Sequence, residues 1–177
     1  VPIHIHVAEQ TAEVEASVAW SGARPLQWLL DHAPVDGRWC LIHATHMTAQ
    51  ETAALAKSGA VDGLCPITEA NLGDGPVNGP GWLAAGGAFG IGSDSNVRIS
   101  LTEELRTLEY SQRLRDIARN VMVEKDGSVG QRLYVGAALG GAQALGRKSG
   151  QIAVGNLAAL TAIDLSHPTL CALRPDH

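Results

Sequence analysis

The sequence predicts an α/β fold of parallel βαβ units, amounting to half of a (β/α)8 barrel with part of a small β-subdomain appended. Three observations predict it. Short β-forming runs end at His6, His43, Cys65 and Asp94, and helical stretches alternate with them. Three of those four ends carry a proton-active side chain, at the place where barrel enzymes keep their reactive groups. The chain has 177 residues, is 45% hydrophobic and has a net charge of −5, which is globular material with enough length for a sizeable core. Four strands are too few to close a barrel.

The elements follow in order. Val1 to Gln10 alternates β-formers with His4 and His6, which a strand puts on one face, and Glu9 comes where the strand should break. Thr11 to Trp20 is helical, with Val14 and Val18 four apart and Glu9, Glu13 and Glu15 early; Ser21-Gly22 stops it. Pro25 opens a second helix that runs to His32, and a turn through Pro34, Asp36 and Gly37 leads to a strand from Trp39 to His43. Thr48 caps a helix from Ala49 to Ser58 that Gly59 ends. A strand from Val61 to Cys65 precedes a loop from Pro66 to Gly79, a helix from Gly81 to Ala85 and a strand from Ala88 to Gly92. A longer helix from Ser100 to Asn120 is striped by Leu101, Leu105, Leu108 and Leu114. Val129 to Leu145 is a helix of small residues suited to close packing. Gly150 to Asp164 reads as two short strands around a Gly155-Asn156 turn. The expected division is residues 1–147 for the barrel half and its following helices, and 148–177 for the β-subdomain part.

Charge and hydropathy exclude several partners. A net negative chain is a poor ligand for nucleic acid or an anionic membrane, and no apolar run reaches the roughly 18–20 residues of a membrane helix. The three cysteines, Cys40, Cys65 and Cys171, are odd in number and widely spaced, which points to a reduced cytoplasmic protein. The chain starts inside a strand with no leader, so it is expected to be a piece of a longer protein.

The strand ends suggest metal-assisted hydrolysis. His6, nearest its strand end, is the candidate metal ligand, whereas His4 lies deeper. Glu9 stands close enough to exchange protons at a site built on His6. His43 is a candidate to polarise a substrate or stabilise developing charge, ahead of His46 in the following loop. Asp94, flanked by glycine and short polar residues, can bind a metal and take a proton from water. His6 and Asp94 are only two ligands, and a catalytic zinc takes three or more protein ligands plus an open position. Either His43 completes the set or the others lie in sequence elsewhere.

His6-Val-Ala-Glu9, His43 and Gly-Ser-Asp94-Ser resemble strands five to eight of the amidohydrolase superfamily, in its single-metal deaminase and chlorohydrolase branch. More narrowly, His4-Ile-His-Val-Ala-Glu-Gln10, Arg38-Trp-Cys-Leu-Ile-His-Ala-Thr-His46, Thr68-Glu-Ala-Asn-Leu-Gly-Asp-Gly75 and Glu103-Glu-Leu-Arg106 resemble the formimidoylglutamate deiminases of histidine degradation. The resemblance implies the C-terminal half of a (β/α)8 barrel and a small β-sandwich subdomain. It implies one Zn2+ held by His6 and Asp94, with Asp94 as base, Glu9 as proton carrier and His43 acting at the scissile carbon. It implies a small-molecule substrate, N-formimino-L-glutamate, and a homodimer. The family's His-x-His pair on strand one and its substrate-binding arginines are absent, so the piece by itself is expected to be inactive. Two alternatives stay open: a related deaminase or chlorohydrolase acting on a purine, pterin or triazine ring, and a non-catalytic half-barrel that pairs with another chain.

Overall fold

The computed structural model describes residues 1–123 and 127–171. Four parallel strands form one sheet in the order β1 (Ile3–Val7), β2 (Trp39–His43), β3 (Val61–Leu64), β4 (Ala88–Ile91). Each strand lies beside the one before it, so every crossover steps the same way across the sheet. The connections are helical: α1 (Thr11–Ser21) and α2 (Pro25–His32) after β1, α3 (Ala49–Ser58) after β2, α4 (Pro66–Leu72) and α5 (Gly79–Ala84) after β3. Two longer helices, α6 (Leu101–Asp116) and α7 (Val129–Ala144), follow β4. The half-barrel expected from the strand count is what forms, with β1 and β4 as open edges; Ile3 and Ile5 on β1 are each 37% exposed.

The pleat divides the sheet into two faces. Leu41, Asp62 and Phe89 stand abreast on one, where Leu26, Leu29, Leu55, Leu105, Leu108 and Leu133 from the helices build the main core. Cys40, Val61 and Ala88 stand abreast on the other and pack with Ala144. The small residues of α7 allow its close approach to β4: a Cβ on Gly140 would come 1.9 Å from the Phe89 carbonyl oxygen. Gln143 of α7 donates to the carbonyls of Gly37 and Gly59, and His4 Nε2 lies 2.8 Å from the Ala144 carbonyl. The end of α7 thus ties together the N-terminal ends of the strands, away from the ends that carry His43 and Asp94.

Several boundaries differ from expectation for identifiable reasons. The stretch from Pro66 to Gly79 is not a loop throughout. Pro66 starts α4 at a position that needs no N–H, and Gly73 ends it in the left-handed region at φ 73°. On α6 the buried face is Glu104, Leu105, Leu108, Glu109 and Gln112, while Leu101 and Leu114 are exposed, Leu114 at 82%. Val18 on α1 is also exposed, and α1 buries no residue. No strand forms between residues 150 and 164. The end of the expected β-subdomain part, residues 172–177, lies outside the described residues. No described helix is long and apolar enough to cross a membrane.

The buried polar residues of α6 act on backbone. Glu104 Oε2 accepts the Ile67 N–H at 2.8 Å, Gln112 Oε1 that of Gly79 at 3.1 Å, and Glu109 those of Val121 and Met122 at 3.0 and 2.9 Å. These are donors that helix starts and loops leave without partners. One core carboxyl has no such use. Asp62 is fully buried, and neither of its oxygens has a partner among the described residues. Burial, reinforced by the charge of Glu69, raises its pKa well above the usual aspartate value. A carboxyl whose pKa is raised by folding costs nothing extra below the unfolded value near 3.8 and costs increasingly as pH rises toward the folded value. Asp62→Val should therefore stabilise the fold by about 1–3 kcal/mol at pH 7, the desolvation cost of an unsatisfied polar group. The gain should shrink toward pH 4. Urea unfolding at the two pH values checks this, and equal gains would contradict it.

Candidate active site

The backbone turns sharply where each reactive strand ends. Ala8 after β1, His43 and Ala44 at the end of β2, and Asp94 after β4 are non-glycine residues at φ between 42° and 71°. This left-handed region is costly for them, and such residues concentrate where a structure holds strain for a purpose. At His43 the Ala44 N–H bonds back to the Ile42 carbonyl at 3.0 Å, closing a tight turn that lifts the imidazole out of the strand's pleat. The turn after β1 is held by Glu13 on α1, whose carboxylate accepts the N–H groups of Ala8 at 2.7 Å and Glu9 at 2.9 Å. The Ala8 carbonyl in turn accepts the His46 N–H, joining the first two strand ends.

These turns bring His6, Glu9, His43 and Asp94 together. The His43 side chain is 1% exposed, with Glu9 and Asp94 more open at 23% and 28%. Its Nε2 lies 3.5 Å from Glu9 Oε1 and 4.0 Å from Asp94 Oδ2, and the His6 ring is centred 5.4 Å from its own. His46 contributes its backbone to this end of the sheet, not an imidazole to the cluster. His4 turns the other way, to Ala144. Burial by itself would lower the His43 pKa, but the hydrogen bond to Glu69 and the charges of Glu9, Glu69 and Asp94 outweigh it and raise the value. Burial raises Glu9, His43 pulls it back, and Asp74 and Asp94 push it up again. The balance leaves Glu9 more readily protonated than an ordinary glutamate.

Glu69 is the residue that sequence reasoning missed. Its side chain is 5% exposed, and its Oε1 lies 3.3 Å from His43 Nδ1. It comes from the third strand end, which showed only Cys65 and Pro66. The available signal was Pro66, which can open a helix and so place a residue one turn on beside the strand end. Cys65 itself is inert: burial, with the nearby acids, pushes its thiol up to about 12.

The donor set fits part of a zinc site. His6 and Asp94 are an imidazole and a carboxylate of the right chemistry at the same end of the sheet. Among the described residues, however, no group of three or more His, Cys, Asp or Glu side chains is arranged to hold a metal ion. His43 does not complete the set, since its two nitrogens already face carboxylates.

Known proteins resemble this chain in sequence and fold. The model of the amidohydrolase family matches residues 1–176. Over 176 residues, 99% of this chain, the sequence is 54% identical to formimidoylglutamate deiminase of Pseudomonas aeruginosa, of which it covers 39%. The crystal structure of an amidohydrolase from Brucella melitensis superimposes with a TM-score of 0.83 at 60% identity, over 85% of this chain and 34% of that one. An adenosine deaminase from Xanthomonas campestris with bound zinc superimposes at 0.88 and 29% identity, over 98% and 39%. The chain therefore spans about two-fifths of the length of the curated relative it matches.

Glu13 offers a direct check on how the first strand end is held. Glu13→Ala leaves the Ala8 and Glu9 N–H groups without their partner and should cost about 1–3 kcal/mol of stability. Urea unfolding measures it, and an unchanged midpoint would show that the turn holds its shape unaided.

Proposed function

This chain belongs to the amidohydrolase family, and on that premise we propose that the whole protein is a zinc-dependent hydrolytic deaminase. Its substrate in this reading is N-formimino-L-glutamate, converted to N-formyl-L-glutamate and ammonia. The observation that carries the reading is the meeting of Glu9 and Asp94 on the Nε2 side of His43. That meeting puts a proton donor, a proton acceptor and a polarising imidazole around one point. The 54% identity to a formimidoylglutamate deiminase supports the substrate.

His6 and Asp94 would hold the zinc, with further ligands from the rest of the protein. When bound, zinc supplies a Lewis acid that brings the pKa of a water toward about 7. The chain's own residues do the rest. Asp94 takes a proton from the water that adds to the formimino carbon. His43, held by burial, places Nε2 where charge develops on the reacting centre. Glu9, whose pKa burial raises above that of an ordinary glutamate, stands where it can deliver a proton to the departing nitrogen. Asp94 passes the proton it took to the same nitrogen, the hydroxyl proton of the adduct returns to Glu9, the C–N bond breaks, ammonia leaves and the formyl carbonyl remains. Residues 148–177 would join a small β-subdomain completed elsewhere in the protein, and the resemblance also implies a homodimer.

A second reading, a deaminase of a purine ring, draws on the likeness to the adenosine deaminase of Xanthomonas campestris. A substrate panel on the full-length protein separates the two by ammonia release. N-formimino-L-glutamate should be turned over and adenosine should not; the reverse would overturn the assignment. Glu9→Gln and His43→Asn in that protein should each lower kcat by about 100-fold or more, the contribution of a positioned proton-transfer group. The 177 residues by themselves should show no zinc-dependent turnover, because they supply two ligands where three are needed. Robust activity from them would refute that part.

A further inference from the structure

We infer that Glu69 is a positioning residue for His43, fixing which ring nitrogen faces the substrate. This deepens the deaminase reading and rests on it for the role of His43. A neutral imidazole donates from one nitrogen and accepts at the other, and the partner of one decides the state of both. Glu69 Oε1 stands 3.3 Å from Nδ1, and a carboxylate there requires Nδ1 to carry a proton. Nε2 is then the free nitrogen, and it is the one turned toward Glu9 and Asp94.

The carboxylate is itself immobilised. The same Oε1 accepts the Cys65 N–H at 2.9 Å, and the Glu69 N–H donates to the Cys65 carbonyl at 3.0 Å. Glu104 on α6 holds the Ile67 N–H at 2.8 Å, pinning the start of α4. Swinging Glu69 away from the ring would leave the Cys65 N–H at the start of its helix without its partner. Among the described residues no arginine or lysine pairs with Glu69, and the side chain its carboxylate faces is the His43 ring. The strained turn at His43 supplies the other half of the argument. A side chain presented by a left-handed residue gets no support from a regular strand, and Glu69 is what grips it from behind. Glu69 touches neither water nor substrate in this scheme. Its effect passes entirely through the ring.

The test uses the full-length protein loaded with zinc and labelled with 15N-histidine, the His43 resonances being identified by their loss in His43→Asn. In the wild type Nδ1 should be protonated. In Glu69→Ala it should lose that proton to Nε2, and kcat should fall about 10–100-fold with KM moving less than about threefold and zinc content unchanged. Glu69→Gln keeps an oxygen that can accept both N–H groups, so it should keep the Nδ1 proton and recover most of kcat. A bare Nδ1 in the wild type would overturn the inference. So would Glu69→Ala at wild-type kcat, or Glu69→Gln no better than Glu69→Ala. If Glu69→Ala fails to fold, the wild-type resonances and the Gln variant still decide. If the wild type releases no ammonia from N-formimino-L-glutamate, the substrate assignment falls while the nitrogen resonances still report on Glu69.

Discussion

Carboxylates that accept backbone N–H groups hold the reactive end of this sheet in place. Glu13 grips Ala8 and Glu9, Glu51 the Thr48 N–H, Glu69 that of Cys65, Glu104 that of Ile67, and Glu109 those of Val121 and Met122. All of these donors lie where a strand or helix ladder has run out. A hydrogen bond to a charged acceptor is worth about 1.5–3 kcal/mol. That is the same order as the roughly 1–3 kcal/mol that each strained left-handed residue costs. Glutamates bonded to main chain can thus offset the turns at Ala8, His43, Ala44 and Asp94, which deliver the side chains of the candidate site.

The two ends of the sheet are built differently. At the far end α7 closes in through glycine and small side chains, and its polar contacts run through Gln143 and the His4 ring. At the reactive end the contacts are polar, with long side chains spanning between elements; Arg24 bonds both Glu51 and the His46 carbonyl. One end is packed to be rigid, and the other is wired to place a few atoms. His43 sits at the junction, with the apolar core beneath it and carboxylates at both nitrogens.

Much of this was legible in the sequence, and the reasons are local. β2 and α3 fall where expected because each carries its own boundary signals, the Asp36-Gly37 turn before one and the Thr48 cap and Gly59 stop around the other. The gathering of His6, Glu9, His43 and Asp94 was legible because parallel strands in order present their C-terminal ends side by side. What was hidden depends on distant partners. Glu69 looks like a loop acid until α4 exists. Nothing in the sequence marks Glu104, Glu109 and Gln112 as buried, and the loop N–H groups they accept are what make theirs the buried face. Leu114 misled for the same reason, since an apolar stripe on paper says nothing about a core reached through glutamates. Asp62 breaks an apolar strand with no local sign that it is buried unpaired.

The glutamates on the reactive end touch main chain, and main-chain N–H groups are the same whatever side chain is attached. The scaffold therefore specifies where each loop runs without specifying what it displays. Side chains at the rim can be exchanged one at a time while the turns keep their course. In evolutionary terms the frame and the specificity of this sheet are separately inheritable, so new substrates can be reached by changing residues that no carboxylate holds.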